Sequence, residues 1–206
     1  MKSETIIINS ITSFSYSAYK DLVIRLSETE STTGIEQTIE RIEATKLNAF
    51  RMKRIDKQIQ ISESLAKLIK SVNRKWRWTV LVEAWCGDGA QNIPIIEKMA
   101  SINPNIDLKI ILRDENTDIM DKHLTNGSRS IPILICVDEM TNKEIGIWGS
   151  RPQKIMEMAK NFKSENPNST HDEFVKYLHL CYAKDKGKSI QNDFLLLILS
   201  WKNNSI

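Results

Sequence analysis

The chain has 206 residues, and its 29 Lys and Arg residues against 26 Asp and Glu residues give a formal charge of +3 at pH 7. This length can bury a sizeable core in one domain with extensions, and the small net charge gives no reason to expect a polyanionic partner. The three cysteines, Cys86, Cys136 and Cys181, are too few and odd in number for a disulfide framework, which indicates a reducing compartment.

Two apolar segments bear on targeting. Residues 6–8 are three consecutive isoleucines, fewer than the roughly 7–15 apolar residues of a secretory signal. The run at 194–199 is far shorter than the ~20 residues that span a bilayer. We therefore expect a cytoplasmic protein of bacterial type without a membrane partner, while export of a chain with a longer N-terminus stays open.

The first 75 residues have helical periodicity. One apolar stripe, predicted to face the core, consists of Ile35, Ile39, Ile42, Leu47, Phe50 and Ile55. A second stripe fits helical spacing more closely and consists of Ile61, Leu65, Leu68, Ile69 and Val72. Gly34 is expected to separate two helices, because glycine interrupts helical patterns.

Basic residues are dense between positions 51 and 77, and Trp76 and Trp78 lie at the end of this segment. Cations interleaved with aromatic residues can bind single-stranded nucleic acid. No recognition motif accompanies these residues. A solvated helix face followed by a strand with alternating tryptophans is therefore the preferred interpretation, and we expect no nucleic-acid partner.

From Thr79 onwards the pattern alternates between strands and helices. The predicted strands are Thr79–Ala84, Leu108–Leu112, Ile133–Val137 and Glu144–Trp148. The predicted helices cover about 89–101, 118–124 with a stop at Asn126-Gly127, a helix opened by Ser150-Arg151-Pro152, a helix after the capping-box sequence Thr170–Glu173, and 191–201. This order indicates an α/β fold, and the C-terminal helices are expected to serve packing.

The sequence Trp85-Cys86-Gly87-Asp88-Gly89 lies between the first of these strands and the following helix. Cys86 is therefore expected at a helix N-terminus, where free N–H groups and the helix dipole favour a thiolate. Asp88 adds a like charge that disfavours the thiolate, and the sequence leaves this balance open. In a Cys-X-X-Cys pair the second thiol resolves a mixed disulfide, but Gly89 occupies that position here.

Four features together carry a resemblance: Trp85-Cys86-Gly87 at a strand-to-helix turn, Pro94 in the following helix, Arg129-Ser130-Ile131-Pro132 before a strand, and Gly146–Gly149 at the end of the last strand. Over about residues 76–163 the chain resembles the thioredoxin superfamily, in particular members with a Trp-Cys-Gly-Asp motif that lack the second cysteine. The resemblance implies a thioredoxin-like fold with a central mixed β-sheet flanked by helices. It also implies a cis peptide bond before Pro132 and strand-like docking of a peptide on Ile131.

The resemblance also implies a division of the chain. We expect an N-terminal helical extension over 1–55, a thioredoxin-like domain over 56–165 and a C-terminal helical extension over 166–206. The buried acid that thioredoxins carry six residues before the nucleophile is replaced by Val80. Glu83 is the nearest candidate for such an acid, and its side chain could face the core or the solvent.

Residues outside the motif are expected to have structural roles. Cys136 and Cys181 are expected to pack in the core. His123 is expected to face solvent or cap its helix, and no histidine has metal-ligand spacing to a cysteine. The charged segment 113–116 either caps the next helix or neighbours the site. We expect no metal and no cofactor.

The function implied by the resemblance is thiol–disulfide exchange through a single active-site cysteine, Cys86. Its partner would be a protein or a low-molecular-weight thiol or disulfide, and the oligomeric state is not predicted. The residues expected to contact the substrate are Trp85, Gly87, Asp88, Gly89, Ile131 and Pro132. The alternative is a redox-inactive module that binds peptides and does not depend on Cys86, and peroxide reduction by Cys86 is a weaker third possibility.

Overall fold

A computed structural model describes residues 12–204, so the predictions made on residues 1–11 lie outside the described part of the chain. The strands are β1 (Trp76–Val82), β2 (Ile106–Leu112), β3 (Ile133–Asp138) and β4 (Lys143–Gly149). The helices are α1 (Tyr16–Glu28), α2 (Ile39–Gln58), α3 (Glu63–Lys70), α4 (Gly87–Ala100), α5 (Thr117–Met120), α6 (Gln153–Glu165), α7 (His171–Asp185) and α8 (Lys188–Asn204).

The four strands form one mixed sheet with the order β2-β1-β3-β4. β1 is parallel to β2 and antiparallel to β3, and β3 and β4 form an antiparallel hairpin. Parallel neighbours need a crossover connection, and α4 supplies it between β1 and β2. β1 is therefore central, its end points at the start of α4, and the predicted α/β thioredoxin-like fold is confirmed.

β1 begins three residues earlier than predicted, because two tryptophans at its start are core residues. Trp76 lies edge-on to Trp201, with ring centroids 6.2 Å apart, and Trp78 lies 5.3 Å from Phe194. Both partners belong to α8, more than a hundred positions later in the chain. The two tryptophans are buried, so neither presents a ring face for stacking on a base.

The apolar stripe predicted for α2 is wrong except at Ile55, which packs against the core. Ile35 precedes the helix and is 96% exposed, while Ile39 and Phe50 are 76% and 71% exposed. The buried face of α2 consists of Thr45, Asn48, Ala49 and Met52. This face is partly polar because it bonds to the chain beneath it: the Asn48 side chain donates to the Ala84 carbonyl at 2.8 Å.

The stripe predicted for α3 is confirmed, since Leu65 and Ile69 are fully buried. Gly34 lies between α1 and α2 with a φ of +83°, as its role in separating two helices requires. The predicted domain division between residues 55 and 56 falls inside the continuous helix α2, which runs to Gln58. The division itself stays a prediction.

The helix predicted over 118–124 is shorter than expected, because α5 ends at Met120. His123 follows it and is buried, with Nδ1 2.7 Å from the Ile119 carbonyl and Nε2 2.8 Å from the Glu144 carboxylate. Of the two roles expected for His123, exposure to solvent is wrong, whereas capping is confirmed, because the bond to the Ile119 carbonyl caps the C-terminal end of α5. The bond from His123 to Glu144 connects the segment after α5 to β4.

The C-terminal helices agree with the sequence signals that begin them. The Thr170 hydroxyl accepts from the Glu173 N–H at 3.2 Å, and the Glu173 carboxylate accepts from the Thr170 N–H at 2.7 Å. The predicted capping box is thus present at the start of α7. α8 is longer than predicted and packs so closely on β4 that a Cβ on Gly146 would lie 1.7 Å from Trp201 Nε1.

Candidate functional site

Cys86 lies at the N-cap of α4, where β1 delivers the chain into the helix. Its Sγ accepts the N–H of Gly89 at 3.3 Å and donates its proton to the carbonyl oxygen of Ile131 at 3.4 Å. The Ile131–Pro132 peptide bond is cis. Cys86 is 6% exposed, and its thiol lies between the first turn of α4 and the segment before β3.

The thiol of Cys86 is held in its protonated form. Burial, followed by the negative charge of Asp88, raises its pKa to about 12. The Gly89 N–H and the Arg151 guanidinium act in the opposite direction and are outweighed. The sequence left open whether the helix N-terminus or Asp88 has the larger effect on the thiol, and the structure favours the protonated thiol. The hydrogen bond to the Ile131 carbonyl also needs a protonated sulfur as its donor.

Asp88 is bound by the C-terminal helices. The Nε and Nη2 groups of Arg151 donate to the Asp88 carboxylate at 2.8 Å, and the Tyr182 hydroxyl donates to it at 2.6 Å. The Asn92 amide donates to the same hydroxyl at 3.1 Å. The expectation that these helices serve packing alone is incomplete, because α7 and the turn before α6 hold the first turn of α4.

Removing the charge of Asp88 is expected to destabilise the fold. Asp88→Asn leaves the partly buried Arg151 without its counter-charge, which should lower the free energy of unfolding by about 2 kcal/mol in urea denaturation. The matched control is Asp121→Asn, which breaks an ion pair with Arg129 whose two side chains are about half exposed. That control should change stability little. Equal losses in the two variants would contradict the structural role of Asp88.

Glu83 supplies a buried acid that the sequence could not place. Its side chain points inward and is fully buried, and one carboxylate oxygen accepts the N–H of Asp114 at 2.8 Å. Burial raises the pKa of Glu83. Of the two orientations left open, the structure adopts the one that faces the core, three residues before Cys86.

Trp85 lies between two guanidinium groups. The Arg41 and Arg113 guanidinium carbons lie 4.5 Å and 5.0 Å from its ring centroid, a cation–π arrangement. The segment 113–116 therefore neighbours the motif. It does not cap α5 through a side chain, because the Asn116 amide donates to the Leu112 carbonyl instead.

Gly87 is flanked by two side chains that no sequence motif predicted. A Cβ on Gly87 would lie 3.3 Å from His179 Cε1 and 3.7 Å from Arg51 Nη1. Burial, followed by the charge of Arg51, lowers the pKa of His179 to about 4, so its ring is neutral at pH 7. Both residues come from distant helices, α7 and α2, and no local pattern could have found them.

The remaining cysteines lie elsewhere. Cys136 is buried in β3 and Cys181 is buried in α7, and both are free thiols, as is Cys86. Within residues 12–204, no group of three or more His, Cys, Asp or Glu side chains is arranged to hold a metal ion. No helix in that same range is long and apolar enough to cross a membrane.

The strand order, the cysteine at the start of α4 and the facing Ile131–Pro132 segment define a thioredoxin-like protein. Residues 34–163 match the sequence profile described as thioredoxin, and the chain belongs to that family. No curated protein matches the chain.

Two solved structures share the fold. A protein of unknown function from Pseudomonas aeruginosa matches with a TM-score of 0.55 and 20% identity, over 90% of this chain and 97% of that one. An HIV epitope scaffold matches with a TM-score of 0.54 and 19% identity, over 90% of this chain and 98% of that one. At these identities the likeness extends to the fold alone.

Proposed function

We propose that this thioredoxin-like protein is a peptide-binding module in which the buried, protonated thiol of Cys86 holds the Ile131 segment that would receive the peptide. The binding surface, here called the Ile131 groove, consists of Trp85, Cys86, Ile131 and Pro132. Among the described residues, the Ile131 N–H has no hydrogen-bond partner, and its carbonyl accepts only the long bond from Cys86. An extended peptide could pair with both groups in the manner of an added strand.

The observation that carries this proposal is the hydrogen bond from the buried Cys86 thiol to Ile131. Thiol–disulfide exchange begins with a thiolate, whereas here the proton is engaged and the sulfur is covered. The position that would resolve a mixed disulfide is Gly89, and the other two thiols are buried elsewhere. Peptide binding without turnover requires neither a thiolate at Cys86 nor a second thiol to resolve a mixed disulfide.

Monothiol exchange is the second candidate, and one contact favours it. The Gly89 N–H points at Sγ, and this bond would stabilise a thiolate if the thiol ionised. Cys86 would then attack a substrate disulfide, the new S–S bond would join Cys86 to one substrate sulfur, and the other sulfur would leave as a thiol. An external thiol, from a protein or a small molecule, would release Cys86.

Peptide binding by substituted chains separates the two functions. Disulfide-free peptides selected on the wild-type chain are expected to bind Cys86→Ser within about twofold, because a serine hydroxyl can also donate to the Ile131 carbonyl. Pro132→Ala, which alters the segment that presents Ile131, is expected to weaken binding at least about tenfold. Fluorescence polarisation of labelled peptides measures both affinities.

The matched control is Pro104→Ala, at an exposed proline in the loop before β2, and it should leave peptide affinity unchanged. Loss of affinity in Cys86→Ser, combined with covalent capture of a disulfide-bearing peptide by the wild type alone, would overturn the binding-module proposal. That pair of results would establish monothiol exchange instead.

A further inference from the structure

A cleft of about 1020 Å³ lies beside α4, between the end of α2 and the junction of α7 with α8. The α4 side of the cleft is formed by Gln91, Asn92 and Ile95. The opposite sides include Arg54 from α2 and the segment 186–188. The cleft is separate from the Ile131 groove, and Tyr182, which lines it, also holds Asp88.

Gln91 is the feature of this cleft that its packing does not explain. Its side chain is 5% exposed and lines the cleft. Within residues 12–204 its carboxamide makes no hydrogen bond, although it carries two donor hydrogens and an acceptor oxygen. The carboxamide nitrogen and oxygen stay open to the cleft, so solvent pairs with them when no ligand is bound. A ligand in the cleft would replace that solvent as their hydrogen-bond partner.

The charges around the cleft favour an anion. Arg54, Lys186 and Lys188 line it, and none of the three takes part in an ion pair with another described residue. Two acids, Glu63 and Asp185, also line it, so the three cations and two carboxylates leave the lining a net charge of +1. Glu63 pairs with Lys67 at 2.6 Å, and the Asp185 carboxylate accepts the N–H of Ser189 at 3.0 Å.

We propose that this cleft, here called the Gln91 cleft, binds a short acidic peptide. A peptide unit offers one N–H and one C=O, which match the acceptor and donor of the Gln91 carboxamide side by side. The carboxylates of the peptide would lie near Arg54, Lys186 and Lys188. The volume of the cleft accommodates a few residues, and the proposal does not depend on the Ile131 groove.

Titration of the full chain with the tripeptide Glu-Glu-Glu tests this site by calorimetry. Gln91→Met keeps the volume of the side chain and removes its hydrogen-bonding groups, so affinity is expected to fall at least about tenfold. The melting temperature of Gln91→Met should stay the same or rise, because Gln91 makes no bond within the described chain. Loss of binding without loss of stability distinguishes a ligand contact from a structural role.

Three further variants complete the experiment. Arg54→Gln should weaken binding of Glu-Glu-Glu, whereas Arg25→Gln, at an exposed arginine on α1 that does not line the cleft, should not. Pro132→Ala should also leave this binding unchanged, so failure of the Ile131 groove would not be mistaken for failure of this site. Equal affinity for Lys-Lys-Lys or for inorganic phosphate, or unchanged binding in Gln91→Met, would overturn the proposal.

Discussion

Alkylation of Cys86 near pH 7 is expected to be about a thousandfold slower than that of an unperturbed cysteine. The thiolate is the form that reacts with iodoacetamide, and burial raises the pKa of Cys86 from 9.0 to about 12. The rate should rise about tenfold for each pH unit and should not level off below about pH 10. Mass spectrometry of the modified chain over a series of pH values measures this profile.

Two substituted chains make the alkylation result specific. Cys86→Ser provides the blank. This variant keeps Cys136 and Cys181, so subtracting its alkylation from that of the wild type leaves the signal of Cys86. Asp88→Asn should move the pKa of Cys86 downward and accelerate alkylation, because the Asp88 charge is the second cause of the upward shift. A plateau below about pH 8.5 in the wild type would show an activated nucleophile, and monothiol exchange would become the preferred function.

Restoring a second cysteine is expected to create a disulfide only if space is made for it. A Cβ at Gly89 would lie 3.5 Å from Cys86 Cβ and 3.6 Å from Cys86 Sγ, which is compatible with disulfide geometry. The same Cβ would lie only 2.5 Å from Val82 Cγ2. The double variant Gly89→Cys with Val82→Ala should therefore oxidise with diamide to an intramolecular disulfide, seen by mass spectrometry as the loss of two hydrogens.

Single and matched variants test the steric argument. Gly89→Cys alone should melt at a lower temperature than the double variant and should oxidise less completely, because Val82 must be displaced. Gly89→Ala with Val82→Ala should form no intramolecular disulfide under the same conditions. If the single and double variants oxidised equally well, Val82 would not be what closes this position to a side chain.

The packing of Val82 against Gly89 bears on the proposed function. Val82 occupies the space that the Cβ of a resolving cysteine would need, so the surrounding core is built around glycine at this position. A dithiol cycle would require more than one substitution here. This agrees with a module that retains the fold and the Ile131 groove without the second thiol.

The local sequence could identify the fold and the centre of the site because the signals involved are short. Trp85-Cys86-Gly87 at a strand-to-helix turn, Pro132 before β3 and the capping box at Thr170 depend on residues a few positions apart. Such patterns fix backbone geometry and chain direction locally, and the family resemblance that they carry implied the fold. The segments 76–82 and 133–138 were recognisable for the same reason, apart from their exact ends.

The sequence alone therefore determined the thioredoxin-like fold and the position of Cys86 at the start of α4. Only the tertiary structure decided the state of the thiol, since its burial, its bond to Ile131 and the charge of Asp88 act together on its pKa. It also decided which face of α2 is buried and left Gln91 unpaired beside its cleft. Burial and pairing depend on helices far apart in the chain, and no local pattern records which of them will meet.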